Sequence, residues 1–339
     1  MQEGFNKTKD PTALQAMELR QLRYFVKVVE LASMGRAALA LDVTTSTMSQ
    51  QISHLEGELS TRLLQRLPTG VVPTGAGIAF YRHAQTVLHQ VDMAAEAAQG
   101  ERLSGKVSVG MAPTTALMLA LPLLRAMRER YPKIRLHIVE GLSAHLTALL
   151  DARRLDLSMR FDMGEDHRLS ATPLLKESLF VIGLKDLPGM PRGRKTRLQD
   201  LGELPLILPS GRHTLVSIIM NAFKRKNIVP NVVNEIDGLN TLMGAVQAGM
   251  GATIHPSSAV SFLHNDDLAL VPIADKSLFR CSILTSQPDE ELSPAALAAR
   301  VMLREVAHRL IRGGQWEGAY IMHPGKWAAE GWHGHAGTS

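Results

Sequence analysis

At 339 residues, 45% hydrophobic and 20% charged, the chain has room for two or three domains with adequate cores and the make-up of an ordinary globular protein. No run of about eighteen apolar residues occurs, which argues against a transmembrane helix. The first sixteen residues lack the apolar centre of a secretory signal, so cytoplasm is the expected compartment. A net charge of +5 favours nucleic-acid contact. The single Cys281 excludes redox sensing by an internal cysteine pair and leaves an intermolecular pair open.

Residues 1–16 read as an N-terminal extension with no assigned role, and Met17 is a candidate start. After them come three amphipathic segments in quick succession. Leu22, Phe25, Val26 and Val29 recur at i, i+3, i+4, i+7, the stripe of a helix packed on a core. Ser33 is a candidate N-cap for a short second helix with Ala37, Ala38 and Leu41 facing inward. A third helix starts at Thr44 and places Met48, Ile52, Leu55 and Leu59 on one face. Thr47, Gln50, Gln51 and His54 line the other, and short hydroxyls and amides are the groups that hydrogen-bond base edges in a major groove. A small-residue turn from Asp42 to Thr45 joins helices two and three into a helix-turn-helix. Periodicity alone also allows a plain three-helix core with an uncommitted polar surface. Charge is near balance here: Arg20, Arg23, Lys27, Arg36, Arg62 and Arg66 stand against Glu18, Glu30, Asp42, Glu56 and Glu58. Helix N-termini and hydroxyls also hold phosphates, so near-balance does not forbid binding.

From Met17 to about Gly77 the marks LRQLRYFVKVVE, Ser33 to Ala38, VTTSTMSQQISHLE, Leu63-Leu64-Gln65-Arg66 and VVPTGAG together resemble the winged helix-turn-helix of LysR-type transcriptional regulators. With that resemblance, base contacts are expected from Thr45, Ser46, Thr47, Ser49 and Gln50, with Thr44 and His54 also among the DNA-binding residues. Ser33, Arg36 and Gln51 are expected on phosphates and Arg66 in or beside the minor groove. Two departures fall on the reading residues. Thr45-Ser46 stands where the family usually has Gln-Pro and Gln50 where an Arg is common, while Thr69 takes the second basic position of the wing. The operator sequence therefore does not follow from the family.

Ile78 to about Gln99 contains no Pro and no internal Gly, as one long helix requires. Phe80, Ala84, Val87, Val91, Ala94 and Ala98 alternate spacings of four and three, the seam of a coiled coil. Packing on the same chain is the other explanation of that stripe. The family dimerises through a linker helix at this place, and a dimer presents two recognition helices to an inverted repeat.

Gly100 to Gly105 reads as a hinge. Strands are then expected at Val107 to Met111, Arg135 to Val139 and Leu155 to Arg160, with helices at Thr115 to Arg130 and Ser143 to Ala152. That alternation implies a parallel sheet in an α/β domain. Ser178 to Leu184 leads into a second lobe with strands near Leu206 and Ile254 and helices at Leu215 to Lys226 and Leu239 to Gly249. Ser277 to Thr285 returns the chain to the first lobe, and Pro294 to Ile311 is the last helix. Two lobes joined by two crossings enclose a cleft. The layout is similar to the effector domain of the LysR family, itself like periplasmic binding proteins. The segments LSGKVSVGMAP, PLLKESLFVIG and GMGATIHP look closest to the subgroup that contains the nitrogen assimilation control protein and regulators of aromatic catabolism.

Candidate cleft residues follow from position. Thr114 and Thr115 open a helix after the first strand, Ser143 opens another after the second, and Pro209, Ser210 and His213 hold the comparable place in lobe two. Hydroxyls and free N–H groups at helix N-termini favour a carboxylate or similar anion. Ordinary N-capping accounts for each hydroxyl taken singly. Phe161 and His255 follow strands and line the pocket or belong to the core.

Marks of catalysis are missing: there is no G-x-S-x-G elbow, phosphate loop, dinucleotide fingerprint or H-E-x-x-H motif. Asp162, Glu165 and Asp166 read as a solvated turn rather than a metal site. His323, His333 and His335, with Trp316, Trp327 and Trp332, read as a disordered Gly-rich tail able to bind a transition metal adventitiously.

The expected architecture is α plus α/β: extension 1–16, winged helix-turn-helix 17–77, linker helix and hinge 78–104, first lobe 105–177, second lobe 178–274, return 275–312 and tail 313–339. The expected function is a non-enzymatic, cofactor-free regulator that binds promoter DNA as a dimer or tetramer. A small anionic effector and RNA polymerase are its further partners, at the nucleoid and without a membrane. The alternative from another class is a solute-binding protein, or an enzyme on that scaffold, whose N-terminal module serves assembly only. A regulator that needs no effector is the alternative within the class.

Overall fold

The computed structural model describes residues 17–68, 70–98, 103–161, 169–211, 213–263, 266–275 and 278–322. The expectations placed on residues 1–16, Thr69, Asp162 to Asp166, and on Trp327, Trp332 and the three tail histidines lie outside them. The chain divides into two compact units, Met1–Gly100 and Glu101–Ser339. No described helix is long and apolar enough to cross a membrane.

In the first unit, α1 (Leu19–Leu31), α2 (Met34–Ala40) and α3 (Thr45–Glu58) are followed by the hairpin β1 (Leu64–Leu67) and β2 (Gly70–Pro73) and by α4 (Gly75–Ala98). The expected stripes form the core: Leu22, Phe25, Val26, Ala37, Ala38, Met48, Ile52 and Leu55 are buried, with Val29, Leu41 and Leu59 packed against them. Helix α2 is only seven residues long, too short to persist alone. Burial of Ala37 and Ala38 and capping by the Ser33 side chain, which accepts from Arg36 N, hold it in place. The hairpin is antiparallel, with Arg66 opposite Val71. It is tied down at both ends. Val71 N donates to Ala32 O at 3.0 Å, and buried Glu56 of α3 accepts from Leu63 N at 2.8 Å and Leu64 N at 3.0 Å. The chain then turns into α4 so closely that a Cβ on Gly77 would lie 2.0 Å from Leu63 O.

Helix α4 starts three residues earlier than expected. Its first two seam residues do not face a partner. Phe80 packs edge-on against Phe25, ring centroids 5.3 Å apart, and Ala84 is buried in the same core. The same-chain explanation therefore holds for Phe80 and Ala84, because the α1 stripe is wide enough to cover the first turns of α4. Val87 and Ala94 are exposed and Val91 is half-buried.

The second unit has two lobes. The first carries β3 (Gly105–Met111), α5 (Pro113–Arg130), β4 (Ile134–Glu140), α6 (Ser143–Asp151), β5 (Leu157–Arg160) and β6 (Ser170–Ser178). The second follows with β7 (Phe180–Leu184), β8 (Leu206–Leu208), α7 (Thr214–Arg225), β9 (Val232–Glu235), α8 (Leu239–Gln247), β10 (Thr253–His255) and β11 (Leu268–Pro272). The chain returns through β12 (Phe279–Ser286), α9 (Pro294–Arg312) and β13 (Ala319–Ile321). The first-lobe sheet has the order β13-β6-β12-β5-β3-β4. Strand β3 pairs parallel with β4 and β5, as the alternation implies, but β12 runs antiparallel to β5 and β6. The expectation of a parallel sheet is corrected for this half, because the crossing strands enter and leave without a helical crossover. In lobe two β7 lies between β10 and β11, antiparallel to both, and β8 pairs parallel with β9.

The expected tail is also corrected in its described part. Strand β13 pairs with β6, and Trp316 is buried against the first-lobe core. Cys281 is buried.

Candidate functional site

In the first unit the exposed face of α3 is built by its own N-cap. Thr44 Oγ1 accepts from Thr47 N at 3.1 Å and lies 2.9 Å from Ser46 Oγ and 2.8 Å from Thr47 Oγ1. This hydroxyl cluster sits where the first N–H groups of a helix lack intrahelical acceptors and where the macrodipole favours an anion. Thr45, Ser46, Thr47, Gln50 and His54 are exposed, and Ser49 and Gln51 are half-buried. Arg66, on the hairpin, donates through Nη2 to Ser49 Oγ at 2.6 Å. The wing arginine is thereby brought beside the middle of α3. Arg36 is exposed and donates to Leu31 O at 2.5 Å, while half-buried Ser33 is spent on its cap. The hydroxyls of Thr44 and Ser33 thus serve helix ends first.

In the second unit a cavity of about 140 Å³ opens between the two lobes. Cavities of roughly 150 Å³ admit a benzene-sized ligand. Four helices start on it. Its lining takes in Ala112 to Thr114 of the α5 start, Leu142 to Ala144 of the α6 start, His213 to Leu215 of the α7 start, and Leu239 of the α8 start. The opening N–H groups of each helix have no acceptor within it, so all four positive ends face one space.

Thr114, Ser143, Phe161, Pro209, His213 and His255 line this cavity, and Thr115 and Ser210 do not. Thr115 is fully buried one residue further into α5, and Ser210 N donates to Asp237 Oδ1 at 2.8 Å. N-capping does not account for the hydroxyls. The N-caps of α5, α6 and α7 are Ala112, Leu142 and His213, none with a side-chain cap. Instead Thr114 Oγ1 accepts from Arg280 Nη2 at 2.7 Å, and Ser143 Oγ accepts from Phe161 N at 3.3 Å.

Arg280 is the lining residue the sequence reading omits. It is 3% exposed, its Nε donates to Glu177 Oε2 at 2.7 Å, and its guanidinium carbon lies 4.1 Å from the centre of the Phe161 ring. The second oxygen of Glu177 accepts from Trp316 Nε1 at 3.0 Å and Ser258 Oγ at 3.1 Å. A charge inside the otherwise apolar run FRCSIL was the available signal, since an internal strand holds a cation only when it is paired. Asp237 was missed too. It lies at the cavity rim, 3.4 Å from His213 Nε2. Burial holds the His213 pKa down, against the pull of Asp237. His255 is lowered further, to about 3, by burial first and then by Arg280 and His213. At neutral pH the cavity therefore holds neutral imidazoles, a neutralised guanidinium and four positive helix ends, with the Asp237 carboxylate at its rim.

Residues 19–78 match the model of the bacterial regulatory helix-turn-helix of the lysR family, and residues 100–308 match the LysR substrate binding domain. The nitrogen assimilation regulatory protein nac of Klebsiella aerogenes is 33% identical over 299 residues, covering 86% of this chain and 96% of that one. The Escherichia coli K12 protein of the same name is 33% identical over 308 residues, 89% of this chain and 99% of that one. Among solved structures, a full-length OxyR variant from Pseudomonas aeruginosa superposes with a TM-score of 0.70 at 25% identity, over 87% of this chain and 95% of that one. Full-length CbnR in complex with its target DNA has a TM-score of 0.62 at 23% identity, over 86% and 100%, a likeness of fold.

Proposed function

The chain belongs to the LysR family of bacterial transcriptional regulators, and from that premise we propose that it binds an inverted repeat in promoter DNA as a homo-oligomer and answers to a small anion in the inter-lobe cavity. It is a DNA-binding regulator with an effector domain, not an enzyme. Matches to both family domains set aside a solute-binding protein whose N-terminal module serves assembly only.

The observation that carries the DNA reading is the pairing of Arg66 with Ser49 beside an exposed, hydroxyl- and amide-bearing α3. In this reading Thr45, Ser46, Thr47, Ser49, Gln50 and His54 meet base edges, and Ser33, Arg36, Thr44 and Gln51 meet phosphates. Arg66 follows the minor groove. Two heads on one repeat require self-association. The exposed part of the α4 stripe, Val87 to Ala94, supports it, as do the exposed leucines 117, 121 and 124 on α5.

The convergence of four helix N-termini and Arg280 supports an anionic effector. A difference in its affinity between two assembly states of about 1 to 3 kcal/mol suffices for coupling. RNA polymerase is the partner through which such a complex acts at a promoter, and the nucleoid is where it acts.

The test is binding of the purified protein to fragments of the genome, followed by footprinting of the best site at physiological salt, where nonspecific attraction is weakened. A footprint over an imperfect inverted repeat is expected. No site preferred over bulk DNA, with or without metabolite extract, would overturn the reading.

A further inference from the structure

The cavity wall contains a group that neither the fold nor its neighbours satisfy. His255 ends β10, is 5% exposed and lines the cavity, yet neither Nδ1 nor Nε2 has a hydrogen-bond partner. A neutral imidazole always presents one N–H and one bare lone pair, and a buried polar group left unpaired is costly. The surrounding charge limits what can meet that lone pair. Arg280, although paired with Glu177, still acts on His255 as a positive charge, and four helix N-termini share the cavity. The lining carboxylate, Asp237, is a half-exposed rim group beside His213. Next to His255 the field therefore favours a carboxylate over an ammonium. A carboxylate accepts but cannot donate, so it leaves the lone pair unmet. A hydroxyl can donate to it without adding positive charge.

We propose that the cavity is built for a small carboxylate that also carries a hydroxyl group, with the acid on the helix N-termini and His255 selecting the hydroxyl. The inference rests on the anion-binding reading of this cavity given above. The cavity volume of about 140 Å³ restricts the ligand to about the size of one six-membered ring. Sites built around a substrate hydroxyl discriminate strongly against analogues lacking it, because the unmatched polar group stays buried.

The experiment is titration calorimetry on the full-length protein with three matched pairs: 2-hydroxybenzoate and benzoate, lactate and propionate, malate and succinate. At least one hydroxylated acid is expected to bind about tenfold or more tightly than its plain partner. His255→Leu should bring the two within about threefold, with the plain acid still bound. His255→Gln, which keeps a donor and an acceptor, should retain part of the preference and serves as the readout if the Leu variant does not fold. Binding without hydroxyl preference, or a preference that survives His255→Leu, would overturn this inference and leave the anion-binding reading standing. No binding by any of the six acids would overturn both.

Discussion

Glu177 Oε2 accepts from Arg280 Nε at 2.7 Å with the two side chains 1% and 3% exposed, on adjacent strands of the first-lobe sheet. Charges so placed have given up their hydration, and what holds them is each other together with Thr114, Ser258 and Trp316. Removing one partner strands the other. Glu177→Ala is therefore expected to lower the stability of the effector domain by about 3 to 5 kcal/mol. Trp316→Phe, which withdraws one of two donors from Glu177 Oε1, should cost about 1 to 3 kcal/mol. Urea unfolding of the full-length protein measures both. A Glu177→Ala variant within about 1 kcal/mol of wild type would mean that water reaches the pair.

Arg66 is held by Ser49 rather than by a carboxylate, so its charge is available to phosphate. Replacing it by Ala should weaken binding to all duplexes about equally and reduce the slope of log affinity against log salt by about 0.9. Fluorescence anisotropy on a footprinted operator and a scrambled duplex, each at four salt concentrations, gives the two slopes. An unchanged slope would place Arg66 away from the backbone.

Gln50 stands on the exposed face of α3 and carries both an amide donor and an acceptor, the pair that matches adenine in the major groove. Gln50→Ala should cost about 1 to 3 kcal/mol at one base step and relax discrimination there. Affinities for the four substitutions at each operator position identify the step. Equal losses at every position would assign Gln50 to the backbone instead.

His255 couples stability to pH. Its folded pKa is depressed to about 3, with burial the largest cause, whereas an unfolded histidine titrates near 6.5. Below pH 6.5 the unfolded chain takes up a proton that the folded chain refuses. Stability from this residue is thus complete above pH 6.5 and is lost as pH falls toward 3. Between pH 7 and pH 5 the loss is about 2 kcal/mol, and His213, also depressed by burial, adds in the same direction. Urea unfolding at the two pH values should show the loss in wild type and a smaller one in His255→Gln. Equal losses in both would assign the slope to other groups.

The DNA head was legible because each helix carries its own stripe and cap. Leu22, Phe25, Met48 and Ile52 repeat at helical spacing, Ser33 is the cap the sequence suggests, and Thr44, the expected start of the third helix, is its N-cap. The seam on α4 was half legible. A stripe of Phe80, Ala84 and Val87 has the same spacing whether it meets the same chain or another copy. Only the position of Phe25, fixed by tertiary packing, decides that Phe80 turns inward. In the effector domain the helix starts gave four of the cavity's lining residues, Thr114, Ser143, Pro209 and His213, and strand ends gave Phe161 and His255, since strand-to-helix turns and strand ends are visible locally. Arg280 was not found by that route. Its partner Glu177 lies 103 residues away, and cross-strand pairing at that separation leaves no periodic trace. Strand β13 escaped for a similar reason. Three residues, Ala319–Ile321, are too short for an alternation to register, and their pairing with β6 supplies the order.

Leu117, Leu121 and Leu124 follow one another along α5 at i, i+4, i+7 and are 37%, 55% and 40% exposed. The opposite stripe of the same helix, Leu119, Leu123 and Met127, already fills the first-lobe core, so that core does not require the outer leucines. Scattered exposed leucines are ordinary, but three on one helix face form a contiguous apolar patch of the kind found at interfaces. Leu121→Arg puts a charge at its centre. Surface changes of this kind leave fold stability within about 0.5 kcal/mol, whereas a charge buried without a partner at an interface costs several kcal/mol. The variant should unfold like wild type in urea yet shift to a smaller species in light scattering coupled to size exclusion at micromolar concentration. An unchanged mass with unchanged stability would leave self-association to the α4 stripe, where Val87→Arg is the matching test.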